Sequence, residues 1–184
     1  MNSVTYIAFL RGINVGGNTL VKMDDLKKTF ASLSFNNIKT ILASGNILFD
    51  TTETDVVSLS QKIQQILKKI YGFEITVILR TGKKIQSLIN TDPFKNCQVT
   101  PNTRFHVTFI DEKSHSNLSI PYESTEKDFR ILCNISGVVC SAIELSPNRG
   151  TTELMKLLEK EFGKKITTRT WNTVTKIAKS FEPV

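Results

Sequence analysis

The strongest constraint on the fold is the order of apolar periodicities in the first 80 residues. Thr5 to Leu10 is a short apolar run closed by Arg11-Gly12, the pattern of a buried strand. Leu26, Phe30 and Leu33 recur at helical spacing, with Asp24 and Asp25 in the first turn, where carboxylates favour the helix dipole. Ile38 to Leu42 and Ile47 to Phe49 read as two strands around Ser44-Gly45-Asn46, a segment of hairpin-turn composition. Val56, Leu59, Ile63, Ile66, Leu67 and Ile70 form one helical stripe ending at Gly72, where a C-cap glycine belongs. Ile75, Val77 and Leu79 then alternate with polar residues as a strand. Strand, helix, strand, strand, helix, strand is the ferredoxin-like βαββαβ unit.

A similar order follows. A short helical stretch (Ile85, Leu88, Ile89) leads to the alternation Phe105, Val107, Phe109, which leaves Arg104, His106 and Thr108 on the polar side. The polar, Ser-rich segment 111–126, with Pro121, has room for a short helix. Phe129, Ile131, Cys133 and Ile135 make one strand face and Val138, Cys140 and Ala142 the next, around Ser136-Gly137. Leu154, Leu157, Leu158 and Phe162 give a helix, Ile166 to Thr168 a short strand, and Trp171, Val174, Ala178 and Phe181 a C-terminal helix. The expectation is an α+β protein of two ferredoxin-like (βαββαβ) halves with antiparallel sheets, residues 1–80 and 81–184, plus the C-terminal helix. Strands one and four are apolar on both faces (Ile7 and Ala8; Val77 and Ile78), so both faces need cover, from the other half or from a second copy in a homodimer.

Composition bounds the function classes. An apolar share of 40% with 22% charged residues excludes a wholly disordered chain. No stretch approaches the ~18 apolar residues of a membrane helix. The N-terminus shows no secretory pattern, and three cysteines (Cys97, Cys133, Cys140) give no disulfide framework, so a reducing cytoplasm is expected. Without a CxxC, and with His106 and His115 far from any Cys pair in sequence, neither a metal nor a cofactor is expected. If Ser136-Gly137 is the loop, Cys133 and Cys140 lie opposite each other on the face of Ile131, Ile135, Val138 and Ala142, where thiols pack rather than react.

The net charge of +7 comes from 24 Lys and Arg against 17 Asp and Glu. It is spread over both halves, except that Lys164, Lys165, Arg169, Lys176 and Lys179 occur with no acidic residue at the positions between them after Lys164. Three segments combine cations or amides with turn chemistry. The loop from Arg11 to Asn18 contains Asn14, Gly16 and Gly17 and leads to Lys22. Its plain reading is a strand-to-helix turn; its functional reading is an anion cradle of loop N–H groups. One of Gly16 and Gly17 is expected at positive φ. Ser44-Gly45-Asn46 has the plain reading of a hairpin turn, with Ser44 and Asn46 as candidate contacts. The third segment runs from Thr168 to Lys176; Thr170 is a candidate N-cap, Trp171 a core anchor, and Arg169, Asn172 and Lys176 candidate anion contacts. Catalytic constellations such as HExxH or GxSxG are absent, and His106 has no evident partner.

Leu10-Arg11-Gly12-Ile13-Asn14-Val15-Gly16-Gly17, Lys22-Met23, Ser44-Gly45-Asn46 with Phe49, and Arg169 with Trp171-Asn172-Thr173-Val174 and Lys176 resemble the bacterial family catalogued as domain of unknown function 1697. The resemblance runs from near the N-terminus to residue 179. Ala43 stands where a Gln often precedes the Ser-Gly-Asn turn, and Thr170 where an Asn often precedes the Trp. The resemblance implies a compact cytoplasmic α+β protein of ferredoxin-like halves and no particular reaction.

The leading functional expectation is a binding protein for an anionic ligand. A phosphorylated or nucleotide-like small molecule is preferred over nucleic acid, because Phe49 stands alone where an RNA-binding sheet would carry an aromatic pair. The alternatives are an enzyme on such a substrate, and an interaction protein working through an apolar sheet face. The ligand is expected beside the Arg11–Asn18 loop, with Arg11, Asn14 and Lys22 as contacts; the Arg169–Lys176 helix start is the competing site.

Overall fold

The computed structural model describes residues 3–14, 20–147 and 150–181, and the chain divides into two compact units between Gln86 and Ser87. The first unit contains β1 (Val4–Arg11), α1 (Met23–Ser32), β2 (Asn36–Thr40), β3 (Asn46–Thr51), α2 (Val56–Tyr71) and β4 (Thr76–Thr81). Its sheet runs in the order β2-β3-β1-β4 with every pairing antiparallel, which is the arrangement of a ferredoxin-like unit. One sheet face presents Tyr6, Ala8, Leu10, Ile47, Phe49, Val77 and Leu79 to Leu26 and Phe30 of α1 and to Leu59, Ile63 and Leu67 of α2. Period 2 in the strands and period 3.6 in the helices thus converge on one core. Phe49 sits at its centre, with ring centroids 4.5 Å from Phe35, 5.3 Å from Phe30 and 5.9 Å from Tyr6. Ile7, Phe9, Leu48 and Ile78 are buried as well, so the middle strands are apolar on both faces. Helix α2 starts where the Asp55 carboxylate accepts from the N–H groups of Val57 and Ser58, and ends at Gly72 in the left-handed conformation.

The division falls inside α3 (Gly82–Thr91). The second unit continues with β5 (Thr103–Phe109), β6 (Tyr122–Glu123), β7 (Phe129–Ile135), β8 (Val138–Glu144), α4 (Thr152–Phe162), β9 (Thr167–Thr170) and α5 (Trp171–Lys179). Its antiparallel sheet runs β6-β7-β8-β5-β9, so β7-β8-β5-β9 repeats the order of the first unit and β6 is added at one edge. The β7–β8 turn has both Ser136 (φ 50°) and Gly137 (φ 76°) in the left-handed region, as the tightest hairpin turn requires.

Three expectations need correction here. The room for a helix within 111–126 is not used, since β6 is the only regular element there. Leu118, Ile120 and Tyr122 instead pack as an extended segment against the core formed by Phe129, Ile131, Val139 and Ile143 with Leu154, Leu158 and Phe162 of α4. Ser116 ties the segment to α4 by donating to Glu161 (2.7 Å). The register of β7 also shifts by one between Ile131 and Cys133: Ile131 opposes Ser141, whereas Cys133 opposes Cys140. This β-bulge moves Ile131 away from the face of Cys133 and leaves Cys133 only partly buried beside a fully buried Cys140.

His106 is the third correction. It lies opposite Ser141 on β8 and Thr170 on β9, on the side of the sheet that carries Val139 and Ile143, and is 9% exposed. His106 Nδ1 and Ser141 Oγ have no hydrogen-bond partner among the described residues. Burial holds the imidazole below its ordinary value of 6.5, because the charged form loses its hydration. The folded state therefore resists a proton that the unfolded chain accepts. The associated stability is fully present above about pH 6.5 and is lost as pH falls through the folded value. A urea-melt series from pH 8 to pH 5 is expected to show this acid limb in the wild type and to lack it in His106→Gln.

Candidate functional site

In the first unit, the loop after β1 and the Ser44-Gly45-Asn46 turn meet at one end of the sheet. Leu10 N–H donates to Gly45 O (2.8 Å). The Asn14 amide donates to Ala43 O (2.9 Å) and Val21 O (3.1 Å), while its Oδ1 accepts from Val21 N–H (2.8 Å). Asn46 is fully buried and donates to Ile41 O and Ser44 Oγ, both at 2.9 Å. Gly45 (φ +74°) is pressed so closely against the loop that a Cβ there would stand 2.7 Å from Ile13 Cδ1. Asn14 and Asn46 are thus tied into the frame of this corner. Ser44 and Lys22 are exposed and Arg11 is half-buried around it. Gly16 and Gly17, and with them the expectation of positive φ, lie outside the described residues.

The convergence has a topological cause. With β1 antiparallel to β3, the end of β1 must lie beside the start of β3, where the β2–β3 turn sits. The sequence alone does not join the two motifs. The residues it missed are Ala43, whose carbonyl receives Asn14, and Ile13, which packs on Gly45. The strand order of a βαββαβ unit was the available signal. Asp24 and Asp25 occupy the first turn of α1, so this helix start already faces negative charge.

The second unit presents a different corner, where β9 runs straight into α5. Arg169 lies on β9 opposite Val107, so its stem crosses the sheet face that also carries Phe105 and Phe109. Its Nη1 donates to Thr167 Oγ1 and Thr168 O, both at 2.8 Å. Burial pushes the guanidinium down to about 10, the direction expected when a cation is desolvated. Thr170 caps α5 by accepting from Thr173 N–H (3.2 Å). Trp171 makes an edge contact with Phe94 (5.1 Å), which stacks on Phe105 (4.4 Å), so the Trp is an anchor for the helix start. Asn172 and Lys176 are exposed and, four residues apart, share one helix face. The first turn of α5 contains no acidic residue.

Phe49 is fully buried and cannot stack on a base. Among the described residues, no helix is long and apolar enough to cross a membrane, and no group of three or more His, Cys, Asp or Glu side chains gathers in a way that could hold a metal ion.

No curated protein matches the chain. Among solved structures, it is similar to the conserved bacterial protein SP0830 from Streptococcus pneumoniae, with a TM-score of 0.71 and 21% identity over 98% of this chain and 100% of that one. At that identity the likeness speaks for the fold. The family model described as "Protein of unknown function (DUF1697)" matches residues 3–130, a span that holds the first-unit corner and stops before the Arg169–Lys176 segment. The chain therefore belongs to the DUF1697 family of proteins of unknown function.

Proposed function

We propose that the protein binds an anionic, phosphate-bearing small molecule at the β9–α5 corner, with Arg169, Asn172 and Lys176 as its polar contacts and the first-turn N–H groups of α5 as further donors. The observation that carries this reading is a half-buried guanidinium at the start of a helix whose first turn is free of carboxylates. An anion there meets the positive end of the helix dipole and a cation already stripped of much of its water, so their attraction is weakly screened. At the first-unit corner, Asp24 and Asp25 oppose an anion and Asn14 is engaged with Val21 and Ala43, so Arg11, Lys22 and Ser44 form the secondary site.

The test is a thermal-shift panel of inorganic phosphate, pyrophosphate and nucleoside mono-, di- and triphosphates on the full chain. At least one is expected to stabilise the wild type. Arg169→Gln should weaken that ligand by about 1.5–3 kcal/mol, the scale of a charged hydrogen bond. Lys176→Ala, at an exposed position that leaves folding intact, should weaken it by about 0.5–1 kcal/mol. A ligand whose affinity falls with Arg11→Ala and ignores both second-unit variants would overturn the assignment. Salt-sensitive retention on heparin, without any small-molecule shift, would favour nucleic acid instead.

A further inference from the structure

We infer that Cys133 and Cys140 form a redox site, a dithiol that a hydroperoxide converts reversibly into a cross-strand disulfide within the β7–β8 hairpin. The placement comes from the hairpin turn. From Ser136-Gly137 the register runs unbroken through Ile135–Val138 and Asn134–Val139 to Cys133 directly opposite Cys140, and the bulge begins only beyond that pair. Opposed residues on antiparallel strands have Cα atoms about 4.5–5.5 Å apart, inside the range of about 4.4–6.8 Å that a disulfide spans. The two thiols also differ in access. Cys133 is partly exposed, whereas Cys140 is fully buried. One can meet a solution oxidant while the other is held in place to resolve the product.

Their difference in exposure sets their roles, and their influence on each other runs the same way. Cys133 is drawn down to about 7, first by the hydrogen bond from the Cys140 side chain and also by one from the Cys140 backbone N–H. Cys140 is pushed up by the same pairing and by burial. A thiol with its pKa near ambient pH is close to the optimum for nucleophilic attack, combining a large thiolate fraction with retained nucleophilicity. Cys97, in the same unit, is raised by burial and is the less reactive thiol.

The Cys133 thiolate attacks the terminal oxygen of the hydroperoxide; an S–O bond forms, the O–O bond breaks, and the alkoxide or hydroxide leaves with a proton from water as alcohol or water. Cys140 then gives up its proton and attacks the Cys133 sulfenic sulfur. The S–S bond forms, the S–O bond breaks, and water leaves. Both sulfurs are oxidised and the peroxide oxygen is reduced. Exchange with an external thiol restores the dithiol.

The experiment treats the full chain with hydrogen peroxide at pH 7, alkylates the remaining thiols and maps the peptides by mass. The wild type is expected to yield a Cys133–Cys140 linked peptide, two hydrogens lighter than the dithiol and reversed by reductant, with Cys97 still alkylated. Cys140→Ser should leave a sulfenic acid at Cys133 that a 1,3-dione reagent captures. The wild-type map decides the matter even if that variant fails to fold. Oxidation of Cys97 ahead of Cys133, or Cys133 passing to sulfinic acid without a linked peptide, would overturn the inference.

Discussion

Phe49→Ala is expected to remove about 3–5 kcal/mol of stability, the range for truncating a large aromatic side chain in a packed core. Phe49 lies between Phe35, Phe30 and Tyr6, all within 6 Å of its ring centroid, and is fully buried on the strand paired with β1. Its neighbours come from β1, α1 and the α1–β2 connection, so no single element can move in to fill the void. The loss then includes both the transfer of the ring from water and the cavity that stays behind. Urea unfolding followed by far-UV circular dichroism reads the effect directly. A loss below about 1 kcal/mol would show that the core collapses around the gap, contrary to the packing described.

Gly45→Ala is expected to cost about 2–4 kcal/mol and to loosen the corner where loop and turn meet. Two effects combine. A left-handed backbone costs a non-glycine residue about 1–2 kcal/mol, and forcing extra volume into a packed site about 1–3 kcal/mol more. The added methyl would face Ile13 Cδ1 at 2.7 Å and Leu10 Cβ at 3.0 Å, and the second contact is not the far end of a flexible chain. Displacing Gly45 also pulls on its carbonyl, which receives Leu10 N–H at the end of β1. Ser44→Ala, which removes one acceptor from Asn46 at an exposed position, should cost far less. The two variants compared by the same urea melt separate strain in the turn from loss of a hydrogen bond.

How far the fold could be read in advance differs between the units. In the first, the stripe from Val56 to Ile70 and the glycine after it gave α2 nearly to the residue, because a single apolar face with a clear stop admits few alternatives. In the second, segment 111–126 carries its own signal, since Leu118, Ile120 and Tyr122 recur with period 2. Serines and a proline obscured it, and an extended strap there does the covering that α1 does in the first unit. The bulge at Leu132 was out of reach of any pattern, because one extra residue moves Ile131 to the face opposite Cys133 without changing composition. Strand β9 is expected at Ile166 to Thr168 and found at Thr167–Thr170, so only its extension through Arg169, a cation beyond the apolar residue, escapes the pattern. Its pairing with β5, with Val107 opposite Arg169, carries the strand that far. Of the candidate site, the residue types were visible and their grouping was not. Asn14 carries the amide expected of a ligand contact, yet three hydrogen bonds to Val21 and Ala43 give it the work of a brace.

Binding of an anion at the β9–α5 corner is tested most directly by amide chemical shifts of the full chain during a pyrophosphate titration. The largest perturbations are predicted at residues 167–176, led by the N–H groups of Trp171 and Asn172 at the start of α5, and they should diminish in Lys176→Ala. Perturbations centred on residues 10–14 and 20–23, or shifts no larger than those produced by an equal ionic strength of sodium chloride, would contradict it.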